Sequence, residues 1–344
     1  MTAKKETKNE KDFSLSQEIK NIIEEITKEY GEGIITTLGK SKFKDQPTLS
    51  TGSIILDREI GGGYPFGKIV EIYGENASGK TTLALHAVRE CQKLGKQTVW
   101  FDIENALNVK HAQNIGVDID KLFVLHPEYG EQAFKLLIHF INKGAGIIVI
   151  DSLAPLIPIE LLGDFDKQVI GAYARMINNG LRQINHEMTN RETVIIFINQ
   201  LRNKISTGFF MGNPKTTTGG VALTYYASLR IELKNKKEKI EKEGEYIGMK
   251  FWAQIIKNRS ITSFLSSKEN KEKLIEVMFK GGIQKEREII DLATEINIIQ
   301  KSGNWYSYEE KKLGNGKENA VDYLLENPEL YQEILKNVIE KSNK

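Results

Sequence analysis

The chain has little cysteine, little net charge and no long apolar stretch. Its 344 residues include one cysteine, Cys91, which excludes an internal disulfide and a cysteine-rich zinc module and indicates a reducing compartment. The formal net charge is +2, so any contact with nucleic acid must depend on local basic segments. The apolar runs 147–150 and 194–198 are far shorter than the ~20 residues of a membrane helix, and residues 1–16 lack the apolar part of a signal peptide. These absences predict a cytoplasmic protein without a membrane partner.

One glycine-rich segment stands out in the remaining sequence. It lies between an apolar run, 69–73, and a helix-forming segment, 81–94, and it fits the pattern G-x-x-x-x-G-K-[ST] at every fixed position. Its residues are Gly74, Glu75, Asn76, Ala77, Ser78, Gly79, Lys80, Thr81 and Thr82. Glycines let the backbone curl so that successive N–H groups point at phosphate oxygens, and the N-terminus of the following helix adds partial positive charge. The segment predicts a nucleoside triphosphate site, with Lys80 at the β- and γ-phosphates and Thr81 on Mg²⁺.

Short β-rich runs alternate with helical segments from residue 48 onward. The runs are 69–73, 98–102, 122–125, 147–151 and 194–199. Such alternation is typical of an α/β fold in which a mainly parallel sheet is covered by helices on both faces. Ligands bind at the carboxyl ends of the strands in sheets of this kind. We therefore expect the polar residues that end these runs to meet the phosphate-binding segment at one edge of the sheet.

Three of the strand ends carry candidate catalytic groups. Asp151 follows an apolar run and fits a Walker B acid that holds Mg²⁺ together with Thr81. Glu104, two residues after another strand, is placed to orient and deprotonate a water in line with the γ-phosphate. Gln200 ends a third strand, where its amide can hydrogen-bond the γ-phosphate and transmit the loss of that group to the residues that follow.

Two segments are candidates for DNA contacts. The long segment 202–220 has basic groups, apolar rings and glycines but no acid, and its candidate residues are Arg202, Lys204, Phe209, Phe210, Lys215, Thr218, Gly219 and Gly220. Basic groups suit phosphates, and apolar side chains can insert between bases. The second segment, 161–171, ends at Gly171 and precedes a helix on which Arg175 and Arg182 lie close to one face. The alternatives are a connection without function and a solvated helix face.

The two ends of the chain predict smaller units. Residues 17–30 form an amphipathic helix with an isoleucine stripe, and the partner of this stripe is either the chain's own core or a neighbouring subunit. The mixed-charge run 234–245 is interpreted as the solvated tip of a hairpin. After Gly281 and Gly282 the pattern changes to helices, predicted over 286–300, 320–325 and 328–340, around a short Trp-Tyr-Ser-Tyr insert. We expect three parts, 1–47, 48–280 and 281–344.

These segments resemble the bacterial RecA family of DNA strand-exchange recombinases. The resemblance extends from about residue 17 to the C-terminus. It is carried by STGS at 50–53, IVEIYG at 69–74, SGKTT at 78–82, FINQ at 197–200, GNP at 212–214, TTTGG at 216–220 and WYSY at 305–308. The chain departs from the family pattern at Asn108, His111 and Lys215, where an aspartate, a tyrosine and a glutamate are common.

The resemblance implies a RecA-type P-loop ATPase core, an N-terminal helix that packs on the neighbouring subunit, and a small α+β C-terminal domain that helps to gather duplex DNA. It also implies a helical filament on single-stranded DNA, with ATP and Mg²⁺ between subunits, that catalyses homologous pairing and strand exchange in recombination and repair. Glu104 matches the catalytic glutamate and Gln200 the γ-phosphate sensor. Lys257 and Arg259 match a pair that reaches the neighbour's phosphates. Further implied partners are a self-cleaving repressor of the SOS response and recombination mediators.

The residues leave two other classes of function open. A ring-forming helicase or clock-type ATPase shares the same core, although branch-migration relatives carry a four-cysteine zinc module and this chain has only Cys91. A nucleotide-dependent assembly protein without DNA activity is the other class, and the basic segment 202–220 argues against it. Electron microscopy with single-stranded DNA and an ATP analogue would distinguish open filaments from closed rings.

Overall fold

The computed structural model describes residues 16–31, 34–35, 47–163, 171–189, 191–203, 215–217, 220–259 and 272–342. The chain divides into two compact units, Met1–Gln46 and Pro47–Lys344. The first unit contains helix α1 (Gln17–Tyr30), which begins where the Ser16 hydroxyl oxygen accepts a hydrogen bond from the Ile19 amide. Ile19 and Ile22 of its apolar stripe are 45% and 52% exposed. The predicted amphipathic helix is therefore present.

The second unit combines a large sheet, flanking helices and a small antiparallel sheet. Its helices are α2 (Ile54–Ile60), α3 (Lys80–Lys93), α4 (Val109–Ile115), α5 (Gly130–Asn142), α6 (Ala172–Glu187), α7 (Gly220–Tyr226), α8 (Lys285–Glu295), α9 (Lys317–Glu326) and α10 (Pro328–Ser342). Its strands are β1 (Thr48–Leu49), β2 (Tyr64–Pro65), β3 (Lys68–Gly74), β4 (Thr98–Asp102), β5 (Leu122–Leu125), β6 (Ile147–Asp151), β7 (Val194–Asn203), β8 (Lys215–Thr217), β9 (Leu229–Lys242), β10 (Glu245–Asn258), β11 (Lys273–Met278), β12 (Gly282–Ile283), β13 (Ile299–Ser302), β14 (Trp305–Tyr308) and β15 (Lys311–Asn315). Within the described ranges, no helix has both the length and the apolar character needed to cross a membrane.

The large sheet has a parallel centre and an antiparallel flank. Its strand order is β12-β11-β10-β9-β3-β7-β6-β4-β5, with β8 paired to the end of β7. The six strands from β9 to β5 in this order run parallel, whereas β10, β11 and β12 continue the sheet in antiparallel pairs. The prediction of a mainly parallel α/β sheet is confirmed.

Both faces of the central strands are buried, which explains their continuous apolar sequences. In β6, Ile147 and Val149 belong to the apolar cluster that includes α3 and α4, whereas Ile148 and Ile150 belong to the cluster that includes α5 and α6. Cys91 of α3 is fully buried in the first cluster. Each fully buried isoleucine or valine stabilises the fold by about 1.5–3 kcal/mol through its removal from water. The two clusters fix the strands that carry the polar residues described below.

The hairpin predicted around the mixed-charge run 234–245 is present, and most of the run is exposed as expected. Its tip is shorter than the run, because β9 extends to Lys242 and β10 begins at Glu245. The backbone N–H and C=O groups of the paired residues form hydrogen bonds across the hairpin. This pairing overrides the weak strand propensity of lysine and glutamate. A lysine of β9 also makes a cation–π contact with β10: the Lys236 ammonium lies 4.4 Å from the centroid of the Trp252 ring.

The C-terminal part is a small α+β unit with its own apolar cluster, as the sequence predicts. Strands β13, β14 and β15 form an antiparallel sheet, with the Trp-Tyr-Ser-Tyr insert as its central strand. Ile289, Tyr308, Leu324 and Ile334 join this sheet to α8, α9 and α10. The predicted helix 286–300 is too long, because α8 ends at Glu295 and 299–302 is strand.

A buried carboxylate joins this part to the core of the same unit. Glu288 of α8 is 2% exposed and accepts hydrogen bonds from the Ser53 hydroxyl and the Ile54 amide, both at 2.6 Å, at the start of α2. Burial raises the pKa of Glu288 to about 7, and the hydrogen bonds only partly oppose this shift. The neighbouring Arg287 binds Glu276 of β11 and Glu318 of α9. The joint between the C-terminal part and the core, formed by α8 and α2, therefore includes buried polar contacts.

Candidate active site

The phosphate-binding segment forms a tight loop between β3 and α3. Gly74 ends β3, and Lys80 begins α3 directly after Gly79. Ala77 and Gly79 have left-handed backbone conformations, with φ of 55° and 86°. A side chain at Gly74 would meet the carbonyl oxygen of Leu233 in β9 at 2.1 Å, so this position requires glycine. The loop has the curled backbone that the sequence motif predicts.

The Lys80 side chain folds over this loop. Its ammonium donates hydrogen bonds to the carbonyl oxygens of Gly74 and Glu75, at 3.2 and 2.7 Å, and to the Ser78 hydroxyl at 3.5 Å. Burial lowers the pKa of Lys80, and the carboxylates of Asp151 and Glu104 oppose the shift. A buried cation at the start of a helix, beside inward-facing amides, is an electrostatic arrangement suited to a polyphosphate.

The register of the sheet brings the predicted strand ends to one edge. Gly74 of β3 lies beside Gln200 of β7, and Asp102 of β4 lies beside Asp151 of β6. All four strands run parallel, so their carboxyl ends share this edge. The expected convergence of the strand ends on the phosphate-binding segment is therefore observed.

Thr81 and Asp151 form a pair of oxygen donors beside the loop. The Thr81 hydroxyl donates to Asp151 Oδ2 at 3.0 Å. Burial raises the pKa of Asp151 to about 6, the Thr81 hydrogen bond and Lys80 oppose the shift, and Glu104 and Asp102 reinforce it. Hydroxyl and carboxylate oxygens are hard ligands, and Mg²⁺ is commonly held by one or two protein oxygens together with phosphates and water. The donor set fits Mg²⁺.

Glu104 is held at the sheet edge by its backbone and by its side chain. The Asp151 carbonyl oxygen accepts hydrogen bonds from the amides of Ile103 and Glu104, at 2.9 and 3.3 Å. Glu104 Oε1 accepts a 2.5 Å hydrogen bond from the Ser152 hydroxyl and a 3.1 Å hydrogen bond from Gln200 Nε2. The sequence singles out Glu104 and Gln200 separately, but it does not predict the hydrogen bond between them.

The loop that carries Glu104 is shaped by another acid. The carboxylate of Asp102 accepts hydrogen bonds from the amides of Ala106 and Leu107, at 3.0 and 3.1 Å. These bonds close the turn that follows β4. The position of Asp102 at a strand end is visible in the sequence, whereas its use as a structural acceptor is not.

A buried polar network lies behind Gln200, and sequence reasoning missed it. Glu71 of β3 is fully buried and accepts hydrogen bonds from Asn199 Nδ2 at 3.0 Å and Arg230 Nε at 2.5 Å. The backbone N–H of Gln200 in turn donates a hydrogen bond to Asn199 Oδ1 at 3.2 Å. The available signal was an acid within the apolar run 69–73, since a buried carboxylate needs a partner. The network connects β3, β7 and β9 directly behind the sheet edge.

Lys257 and Arg259 lie together at the end of α7. The Lys257 ammonium donates to the carbonyl oxygens of Thr224 and Tyr225, at 2.7 and 3.0 Å. The Arg259 guanidinium carbon lies 5.8 Å from the centroid of the Tyr225 ring. Burial lowers the pKa of Lys257 to about 8, and the nearby cations Arg259 and Arg230 contribute. Among the described residues, the two side chains contact α7 rather than the phosphate loop of their own chain.

The segment 202–220 starts on β7, contains β8 and ends at the start of α7. β7 continues past Gln200, and β8 pairs with it in antiparallel register, with Arg202 opposite Thr216 and Asn203 opposite Lys215. Gly220 is the first residue of α7. For Arg202, Lys215 and Gly220 the description covers the backbone, and Lys204, Phe209, Phe210, Thr218 and Gly219 lie outside the described residues. The pairing places both ends of the segment directly beyond Gln200.

The second candidate DNA segment adjoins α6. Gly171 is the N-cap of α6 and has a φ of 75°, while residues 164–170 lie outside the description. Arg175 forms an ion pair with Glu160 at 3.1 Å, and both side chains are substantially exposed. Arg182 is exposed on the same helix. An exposed ion pair of this kind contributes about 0–1 kcal/mol, so Arg175 can exchange Glu160 for another anion at little cost.

Thr82 and the family departures at 108 and 111 form one cluster. The Thr82 hydroxyl and His111 Nε2 are 2.9 Å apart, and Asn108 Oδ1 accepts the His111 amide hydrogen bond as the N-cap of α4. Burial lowers the pKa of His111. The histidine thus links α4 to the first turn of α3.

Comparisons with known proteins agree with this geometry. The family model described as the RecA N-terminal domain matches residues 17–284, and the RecA C-terminal domain model matches residues 287–343. Protein RecA of Mycoplasma mycoides subsp. mycoides SC is 42% identical over 326 residues, which cover 94% of this chain and 92% of that protein. Protein RecA of Bacillus subtilis is 40% identical over 321 residues, which cover 92% of this chain and 90% of that protein. The chain therefore belongs to the RecA family of recombinases.

Proposed function

We propose that this protein is a DNA-dependent ATPase that forms helical filaments on single-stranded DNA and catalyses homologous pairing and strand exchange. The observation that carries the proposal is the edge of the large sheet. There, the phosphate loop, the Thr81–Asp151 pair and the Glu104–Gln200 hydrogen bond lie together. β7 leads from this edge directly into the basic segment 202–220. Family membership supports the same conclusion.

We assign ATP hydrolysis to five side chains at this edge. Lys80 binds the β- and γ-phosphates, and Thr81 and Asp151 hold Mg²⁺, which neutralises phosphate charge when bound. Glu104 acts as the general base, and its carboxylate is held beside the loop by Ser152 and, before the triphosphate binds, by Gln200. Gln200 binds the γ-phosphate. The backbone amides of 74–80 and the side chain of Thr82 complete the nucleotide site.

Gln200 couples nucleotide to DNA in this proposal. Its side chain bonds Glu104, and the antiparallel pairing that begins at Leu201 holds both ends of 202–220. Replacing the Glu104 contact by a γ-phosphate contact moves the end of β7, and the DNA segment moves with it. Residues of 202–220, together with Gly171, Arg175 and Arg182, bind the DNA strand.

The remaining assignments concern assembly. We propose that α1, within 1–47, packs on a neighbouring subunit, that 48–280 forms the ATPase core, and that 281–344 gathers duplex DNA. Lys257 and Arg259 then reach the neighbour's nucleotide, which places ATP between subunits. The proposed partners are single-stranded and duplex DNA, further copies of this chain, recombination mediators and a self-cleaving repressor. The proposed location is the cytoplasm.

A strand-exchange assay tests this function. Circular single-stranded DNA and a homologous linear duplex are mixed with protein, Mg²⁺ and ATP, and joint molecules are resolved on a gel. The wild-type protein should form them only with ATP. Lys80→Ala should not form them, because it removes the buried cation at the phosphate loop, whereas Lys93→Ala at the exposed end of α3 should retain the activity. Wild-type protein without ATP-dependent pairing would overturn the proposal.

A further inference from the structure

The β9–β10 hairpin forms the floor of the phosphate loop. The carbonyl oxygen of Leu233 in β9 lies against Gly74, and the Phe251 ring of β10 lies where a side chain at Gly79 would come within 3.4 Å. Between these contacts, Asn235 Nδ2 donates a hydrogen bond to the Ala77 carbonyl oxygen at 2.8 Å. The contact joins residues 158 positions apart in the chain. It falls within the run that the sequence presents as a solvated tip.

The hydrogen bond acts on the peptide unit at the centre of the loop. Because a trans peptide is planar, the Ala77 carbonyl and the Ser78 N–H point in opposite directions. A donor that fixes the Ala77 carbonyl toward the hairpin therefore directs the Ser78 N–H away from it. Ala77 also has a φ of 55°, a left-handed conformation that is unfavourable for a residue with a side chain. The hydrogen bond from Asn235 stabilises this conformation.

Asn235 is itself held in one orientation. Its Oδ1 accepts a hydrogen bond from the Lys237 amide at 2.7 Å, so the opposite end of the amide, Nδ2, faces Ala77. Lys237 has a φ of 61°, and the β9–β10 register shifts between Met249 and Phe251, the cross-strand partner of Asn235. Such an irregularity re-aims a side chain relative to a regular strand. The hairpin is thus bent at the point where it meets the loop.

Ion pairs on both sides of Asn235 anchor this part of β9. The ammonium groups of Lys234 and Lys236 each lie 2.8 Å from a carboxylate oxygen of Glu272, the residue before β11. Lys236 also stacks on the Trp252 ring. Two cations that share one carboxylate restrict the backbone between them, which is where Asn235 lies. Asn235, the donor to Ala77, therefore lies in a part of β9 that is held by β10 and by the residue before β11.

We infer that Asn235 is a positioning residue of the nucleotide site, which presents the Ser78 N–H to the phosphates by fixing the Ala77–Ser78 peptide. This inference rests on the proposed function, because it requires that the loop binds ATP. It predicts that the loss of the Asn235 amide weakens binding of the triphosphate while the hydrolysis step, which depends on Glu104, proceeds as before. The effect is then on KM and not on kcat.

The test compares Asn235→Leu with the wild-type protein. Leucine has nearly the same shape as asparagine but lacks the amide, and Asn235→Ala serves as a second variant that adds no apolar surface. Glu238→Gln, at an exposed position of the same strand, is the matched control. The Kd of a non-hydrolysable ATP analogue, the KM and kcat of DNA-stimulated hydrolysis, and the melting temperature are measured for each protein.

Both Asn235 variants should raise the Kd and the KM by about three- to tenfold, as expected for one hydrogen bond, with kcat and melting temperature close to those of the wild type. Glu238→Gln should match the wild type. Equal Kd values in the wild type and both Asn235 variants would overturn the role of Asn235 and leave the proposed function intact. A lowered kcat with unchanged Kd would also overturn it. Failure of the wild-type protein to bind the analogue would instead contradict the proposed function.

Discussion

One carboxylate oxygen of Glu104 accepts hydrogen bonds from two side chains at the ends of neighbouring strands. Ser152 follows β6 and Gln200 belongs to β7, and both donate to Oε1. Glu104 is an exposed residue beside the phosphate loop. In the proposed mechanism Ser152 keeps its hydrogen bond when Gln200 turns to the γ-phosphate, so the base stays oriented and needs little reorganisation during the reaction. This geometry is the basis of the first prediction.

Glu104→Gln should lower ATP turnover by about 10²- to 10⁴-fold, because the amide cannot accept a proton from water. Glutamine retains an oxygen for the donors Ser152 and Gln200, so ATP binding and assembly on DNA should persist. Steady-state hydrolysis and the Kd of an ATP analogue are the measurements, with the exposed Glu128→Gln as the matched control. Normal turnover in Glu104→Gln would rule out its assignment as the base.

At the scale of single residues, local motifs were readable from the sequence and contacts across the fold were not. Lys80, Thr81 and Asp151 could be predicted to lie together because their residue types and spacing follow from the chemistry of phosphate and Mg²⁺. The Asn235–Ala77 hydrogen bond could not, since it joins distant residues through a strand irregularity. Glu71 was equally hidden, because only the fold shows that Asn199 and Arg230 surround it.

At the scale of elements, β7 connects the proposed nucleotide site to the proposed DNA segment. Gln200→Ala should bind ATP but lose the gain in affinity for single-stranded DNA that ATP produces, a coupling typically of about 5- to 150-fold. The reason is that alanine cannot exchange a Glu104 contact for a γ-phosphate contact. Fluorescence anisotropy at fixed salt, with and without an ATP analogue, measures the gain, and Gln113→Ala on the exposed face of α4 is the control. Equal gains in mutant and wild type would contradict the relay.

The joint between α8 and α2 predicts a dependence of stability on pH. The pKa of Glu288 is about 7 in the folded chain and 4.5 in its ordinary range, so between these pH values the folded state retains a proton that the unfolded state has lost. The free energy of unfolding therefore falls as pH rises through this window, by at most about 3 kcal/mol from this group. The charged form is disfavoured because the carboxylate is buried, and Asp57 adds to the effect.

Glu288→Gln should remove this contribution. Glutamine keeps an acceptor for the Ile54 amide, and its amide group can donate to the Ser53 hydroxyl, so the joint remains filled. Urea unfolding from pH 5 to pH 8 should show a shallower loss of stability in the variant than in the wild type. Parallel profiles for the two proteins would show that Glu288 does not titrate in this range.

The element-scale prediction from sequence was best where one property dominated. Continuous apolar runs identified β3, β6 and β7 because both faces of these strands are buried. The hairpin around the charged run 234–245 was predicted, but the extent of its strands was not, because their pairing depends on β10 and on lysine–aromatic contacts, as with Lys239 over Tyr246 at 4.0 Å. Helix α8 was predicted too long because 299–302 becomes strand only through pairing with β14.

At the scale of the whole molecule, α1 is the element assigned to subunit contact. Ile22→Asp should raise the protein concentration needed for assembly on DNA by about ten- to a hundredfold, because a charge replaces an apolar side chain that assembly would bury. Asn21→Asp places the same charge on the opposite face of α1 and is the matched control. Light scattering during titration with single-stranded DNA measures assembly. Equal assembly of both variants would contradict the assignment of α1.

The proposed function requires that ATP drives assembly of this chain into an open filament on DNA. Electron microscopy of the wild-type protein with single-stranded DNA, Mg²⁺ and a non-hydrolysable ATP analogue is the decisive experiment. We expect continuous helical filaments along the DNA, which are absent without nucleotide and absent for Lys80→Ala. Closed rings, or protein that leaves the DNA uncoated with the analogue present, would overturn the proposed function.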